Sequence, residues 1–157
     1  MKYVNTGVVF QEIPEEVTLS INISNCPCHC KGCHSEYLWE DIGDQLTAMT
    51  LNQMIKYYGA DITCICFMGG DGDTATVNSL AHWMKMAHPE IHIGWYSGRA
   101  NLAKEIDINN FDYIKLGPYK EEFGPLNSRT TNQRFYKVSN GELINITSKF
   151  WKHETEN

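Results

Sequence analysis

The chain lacks any apolar run approaching the length of a membrane span, and it lacks a block of basic residues. Its 13 Lys and Arg are scattered against 19 Asp and Glu, for a net charge of −6. That balance excludes the basic stripe of a nucleic-acid surface. Gln11, Glu12, Glu15 and Glu16 interrupt the stretch where a secretory signal would need an apolar core. The expectation is a cytoplasmic protein that meets neither membrane nor nucleic acid. The sequons at Asn22 and Asn145 are then chance matches. Internal repeats, low-complexity tracts and linkers are also missing, and no histidine pairing suggests a catalytic dyad. With 157 residues, 42% of them hydrophobic and 20% charged, the expectation is one soluble domain over 1–157. Its core would run from about 17 to 138, with a frayed tail that begins at Phe150-Trp151-Lys152-His153.

Cysteine is where the chain is rich. Four of its six cysteines fall in Asn25-Cys26-Pro27-Cys28-His29-Cys30-Lys31-Gly32-Cys33-His34. In a reducing compartment such crowding points to metal rather than disulfides. Cys26, Cys30 and Cys33 have the spacing C-x3-C-x2-C, which lets three thiolates of one loop serve one inorganic centre. A ferredoxin-type cluster uses four cysteines, so three would leave one iron open. A zinc knuckle completed by His34, His29 or Cys28 is the competing reading of the loop. Cys64 and Cys66, two apart on a predicted strand, read as small core residues.

Periodicity places the loop. Val17 to Ser24 alternates apolar and polar residues, a half-buried strand that ends at the cysteines. Tyr3 to Ile13 reads as a short edge strand or hairpin, and His34 to Trp39 as one helical turn. Thr50 is the expected N-cap of a helix that reaches Gly59. A strand over Asp61–Met68 ends at Gly69-Gly70. A helix capped by Asp73 or Thr74 stops at Pro89, and a third strand covers Glu90–Tyr96. A short helix over Leu102–Ile106 and a strand over Tyr113–Leu116 follow. Asn140-Gly141 then marks a C-terminal hairpin. The order predicts a parallel sheet with crossover helices, and the local pattern alone is compatible with a doubly wound sheet. Ligands of such sheets gather at the carboxyl ends of the strands. Gly69, Gly70 and Asp71 sit at one such end, Ser97 at another, and Lys115 lies inside an apolar strand. Each also has a structural reading, as turn, cap or solvated edge.

The cysteine spacing resembles that of the radical S-adenosylmethionine enzymes. The wording of the loop, Phe67-Met68-Gly69-Gly70-Asp71, and Asp112 to Tyr119 with Leu126-Asn127-Ser128 and Thr131 to Arg134 resemble the activating proteins of anaerobic (class III) ribonucleotide reductase. The likeness runs from about Thr18 to Lys137. It departs at Gly32, where many members of the superfamily have an aromatic residue, and at Cys28, where relatives often carry another residue. The resemblance implies an α/β fold, an open partial (βα) barrel. It implies one 4Fe-4S cluster per chain on Cys26, Cys30 and Cys33. It also implies S-adenosyl-L-methionine held by Gly32, Cys33, His34, Gly69, Gly70, Asp71, Ser97 and Lys115. The implied activity is reductive cleavage of that cofactor and formation of a glycyl radical on anaerobic ribonucleoside-triphosphate reductase, with an electron donor such as flavodoxin. Another glycyl-radical enzyme or a peptide would suit the same cysteines, and a zinc-stabilised interaction module is the non-enzyme alternative. The long polar loop from Lys120 to Arg134, with Asn127 and Arg129, is the expected docking element for the partner.

Overall fold

The structure, a computed structural model, describes residues 1–151, so the expected frayed tail lies largely outside the described residues. Its centre is one mixed sheet of eight strands in the order β3-β1-β2-β4-β5-β6-β7-β8. The strands are β1 Lys2–Val9, β2 Thr18–Ile23, β3 Asp44–Gln45, β4 Cys64–Met68, β5 His92–Tyr96, β6 Tyr113–Leu116, β7 Arg134–Ser139 and β8 Glu142–Asn145. Strands β2, β4, β5 and β6 are mutually parallel. Antiparallel strands extend both sides, β1 with β3 on one and the β7–β8 hairpin on the other. Asn140 and Gly141, with φ of 51° and 75°, make the positive-φ turn that this tight hairpin needs.

The expected partial (βα) barrel does not form. The described residues contain two α-helices, α1 Ala48–Tyr58 and α2 Thr74–Ala87. Four parallel strands are flanked by antiparallel neighbours instead of further strand–helix units, and the result is an open sheet. The helix expected over Leu102–Ile106 is replaced by turns and a 3-10 helix at Ile108–Asn110, where the Asp107 side chain accepts from Asn109 N–H. The β5-to-β6 crossover therefore carries no α-helix. Nor is the sheet doubly wound, since Leu51 and Ile55 of α1 join Val77, Leu80, Ala81 and Met84 of α2 in one core against Leu19, Ile21, Phe67, Ile93 and Trp95. Asp73 caps α2 as expected, but α1 starts earlier than predicted, capped by Thr47 accepting from Thr50 N–H. The turn after the cysteines is a 3-10 helix at Glu36–Trp39.

The other face of the sheet is covered by loops. Ile13, from the strap between β1 and β2, packs with Cys64, Cys66, Tyr113 and Phe135. Gly94 makes room for it, because a Cβ there would run into the Ile13 side chain. Strand β2 is buried on both faces and not half-buried, as its alternation suggested: Thr18 and Ser20 are buried along with Leu19 and Ile21. Likewise β1 is no short edge strand but an eight-residue partner of both β2 and β3.

Glu16 pins the strap beneath the sheet. Its buried carboxylate accepts from Tyr113 Oη at 2.9 Å, His92 Nδ1 at 2.5 Å and Thr63 Oγ1 at 2.5 Å. Removing the acceptor leaves the buried Tyr113 hydroxyl without a partner and sends the exposed His92 and Thr63 donors back to water, at a combined cost of roughly 1–3 kcal/mol. Glu16→Ala is expected to lower unfolding stability by about 1–3 kcal/mol in urea titrations. Glu15→Ala, beside it but exposed, should stay within about 0.5 kcal/mol of the parent.

Candidate iron–sulfur site

The cysteine loop begins where β2 ends, and its backbone is tied down on both sides. Asn25 N–H donates to Glu40 O and Cys26 N–H to Leu38 O, both at 2.9 Å. Cys33 N–H closes a turn onto Cys30 O at 3.1 Å. Asn25, His29 and Gly32 have positive φ, which lets the chain coil tightly enough to bring four cysteines round one loop. The His29 ring stacks on Trp39 with centroids 4.5 Å apart, and His34 faces Tyr119 at 5.9 Å. At Gly32 a Cβ would strike the Glu121 side chain, so the loop rests against the segment that follows β6. Trp39 and Glu121 were not singled out from the sequence, since neither belongs to a motif; only the fold puts them beside the loop.

All four loop thiols are free and partly exposed, whereas Cys64 and Cys66 are fully buried. Burial pushes both core thiols well above the ordinary range, which suits inert packing. The loop behaves differently. Hydrogen bonding from the Cys28 side chain, opposed by burial and aided by the N–H groups of Cys28 and His29, lowers Cys26 to about 6. Cys28 is pushed up by the same bond, then by burial and by the Asp71 charge. Ser35 N–H points at Cys33 Sγ from 3.4 Å, the kind of backbone dipole that stabilises a ligating sulfur.

Among the described residues, no three His, Cys, Asp or Glu side chains converge on a point that would hold a single ion. Four free thiols on one constrained loop, with Ser35 N–H aimed at Cys33 Sγ, are the soft donor set that an iron–sulfur cluster takes.

The carboxyl ends of the neighbouring strands close on this loop. Gly69 and Gly70 have φ of 113° and 95°. Gly69 O accepts from Trp95 Nε1 at 2.8 Å, and its N–H donates to Tyr96 O at 3.0 Å. The space beside Gly70 is filled by Val77 of α2, so this glycine is required by helix packing as well as by its backbone conformation. Gly70→Ala combines strain with overpacking, and unfolding stability should fall by about 1–3 kcal/mol in thermal or urea melts. Asp71 then turns to β5: Ser97 Oγ donates to Oδ1 at 2.5 Å and Gly98 N–H to Oδ2 at 2.8 Å. Cys28 Sγ–H reaches the same Oδ2 from 3.6 Å. Gly98 leaves room for that sulfur, since a Cβ there would sit 2.9 Å from it. Three separate motifs thus meet at one spot.

Lys115 lies behind them on β6, buried, donating to Gly117 O at 2.9 Å and Gln133 Oε1 at 3.0 Å. Its ammonium stands 5.4 Å from the centre of the Tyr96 ring. Burial lowers it to about 8, opposed mainly by the nearby Asp71. Its direct partners are neutral oxygens, not a carboxylate, so Lys115 contributes a positive field to the site end of the sheet.

In the loop after β6, Arg134 is spent internally: it donates to Thr131 O at 2.7 Å and Gln133 O at 2.8 Å. Arg129 lies over Trp151 with 5.5 Å to the ring centre. Asn127 lines a groove of about 570 Å³ with Leu126, Glu12, Tyr96, Lys149 and Phe150. The loop thus shapes a concavity rather than displaying two free arginines. No helix among the described residues is long and apolar enough to cross a membrane.

Among curated proteins and among solved structures, no match to the chain was found. A family model does match, over residues 15–121, from the strap through the cysteine loop to the segment after β6; its description is a 4Fe-4S single cluster domain. The matched region contains all four loop cysteines together with Gly69, Gly70, Asp71, Ser97 and Lys115. On that match, and with a loop chemically suited to the cluster, the chain belongs to the 4Fe-4S single cluster domain family.

Proposed function

We propose that the chain is a radical-generating activating enzyme that binds S-adenosylmethionine beside its cluster and passes the radical to a glycine of anaerobic ribonucleotide reductase. The observation that carries this reading is the contact of Cys28 in the cluster loop with Asp71, whose carboxylate is held by Ser97 and Gly98. A cluster used only for electron transfer needs no such neighbours. Here a carboxylate and glycine-lined backbone border the loop, as binding of an amino-acid moiety requires.

Cys26, Cys30 and Cys33 would hold the cluster. Once reduced by an external donor such as flavodoxin, the cluster would supply the electron for reductive cleavage of S-adenosylmethionine. Asp71 attracts the methionine ammonium group, oriented by the hydrogen bonds it accepts from Ser97 and Gly98. Lys115, a buried cation without a carboxylate in direct contact, offsets negative charge brought in by the cluster and the methionine carboxylate. Gly32 lies against Glu121 and His34 faces Tyr119, with Cys33 between them in the loop. The groove at Asn127 and Tyr96 is the place for the partner segment.

The test is direct. Reduced protein is incubated anaerobically with S-adenosylmethionine and the reductase, and a glycyl radical on the reductase is sought by electron paramagnetic resonance. A radical that depends on both components supports the reading. Cofactor cleavage without a radical on this reductase, but with one on another glycyl-radical enzyme, reassigns the partner.

A further inference from the structure

Four cysteines occupy the loop, and the C-x3-C-x2-C spacing accounts for three. The fourth, Cys28, does not point away into solvent. Its sulfur lies 3.6 Å from Asp71 Oδ2 and fits the space left by the missing side chain of Gly98. Cys28 also shares with Cys30 the wall of a separate cavity of about 330 Å³, closed by Lys31, Pro118 and Tyr119. It therefore faces the same cavity as the ligand Cys30. It also occupies the seat at Asp71 that an incoming methionine ammonium group would need.

We infer that Cys28 is the cluster's fourth thiolate when no cofactor is bound, and that this iron position is shared between Cys28 and S-adenosylmethionine. A four-thiolate set is the ordinary complement of a four-iron cluster. Because Cys28 sits against the carboxylate assigned to the cofactor, both occupants cannot hold the seat together. Cys28 protects the exposed iron in the resting protein and weakens cofactor binding by competition. The ligation rests only on the cluster; the competition rests on the function proposed above.

The experiment uses the full chain, reconstituted anaerobically, as wild type, Cys28→Ala and Cys28→Ser, with circular dichroism confirming that the variants fold. Without cofactor, each is oxidised with ferricyanide, and conversion from a four-iron to a three-iron cluster is followed by electron paramagnetic resonance and iron content. Both variants should lose the fourth iron at least about ten-fold faster than wild type. In equilibrium dialysis, Cys28→Ala should bind S-adenosylmethionine about ten-fold more tightly, equivalent to about 1.4 kcal/mol. Equal iron loss in all three proteins overturns the ligation. A Cys28→Ala protein that assembles no cluster overturns the sharing, since Cys28 would then be a permanent ligand. Failure of every protein to bind the cofactor removes the competition together with the proposed function, while the iron-loss rates still decide the ligation.

Discussion

Alanine at Cys26, Cys30 or Cys33 is expected to abolish the iron–sulfur absorbance of the reconstituted protein, and with it all cleavage of S-adenosylmethionine. Each thiolate serves a different iron, so no neighbour can substitute without moving the loop. The backbone bonds of Cys26 to Leu38 and of Cys33 to Cys30 hold the loop in place and leave little freedom for such a rearrangement. Cys28 is no replacement, because on the inference above it already serves the fourth iron. Iron and sulfide content, measured beside the visible spectrum, checks the result. A single-alanine variant at these three positions that retains its full iron content would refute the ligand assignment.

The second large effect concerns Asp71. Replacing it by asparagine keeps the shape but removes the charge that Ser97 and Gly98 orient. The variant should keep its cluster, since Asp71 lies outside the thiolate set. Its affinity for S-adenosylmethionine should fall by at least about 30-fold, the roughly 2 kcal/mol lower end for losing one partner of a buried charge pair. Cofactor cleavage should fall with it. Equilibrium dialysis and iron analysis on the same preparation separate the two properties. Unchanged affinity in Asp71→Asn would show that the carboxylate only orders the turn between β4 and α2.

Much of the site was legible because its parts are local. The C-x3-C-x2-C loop, the Gly69-Gly70-Asp71 turn and Ser97-Gly98 each stand at a strand end, and a parallel arrangement of β2, β4 and β5 brings them to one side. Asp73 as a helix cap and Asn140-Gly141 as a hairpin turn were readable for the same reason, since their geometry is set within a few residues. The features that escaped depend on partners far along the chain. Glu16 looked like one more charge in an acidic stretch, yet His92 and Tyr113 make it a buried hub. Ser20 looked solvent-facing by alternation, yet it is buried, and its Oγ donates to Gly7 O of β1. The barrel expectation failed at the strand neighbours. The residues of β1 and β7 carry no mark that they would flank the parallel strands in antiparallel fashion. Nor did Leu102 to Ile106 announce that Asp107 would cap a 3-10 turn instead of an α-helix. Gly70 was expected among the residues that hold the cofactor, and the structure adds Val77 of α2 as its immediate neighbour.

The most direct test of the account is chemical. Protein with its cluster reconstituted, reduced with dithionite under anaerobic conditions and mixed with S-adenosylmethionine alone, is analysed by liquid chromatography and mass spectrometry. The account predicts methionine and 5′-deoxyadenosine in equal amounts, formed only when the cluster is present and reduced, and absent in Cys26→Ala, Cys30→Ala and Cys33→Ala. An intact cofactor in the presence of a full, reduced four-iron cluster would contradict it, and would leave the chain an iron–sulfur protein of another kind.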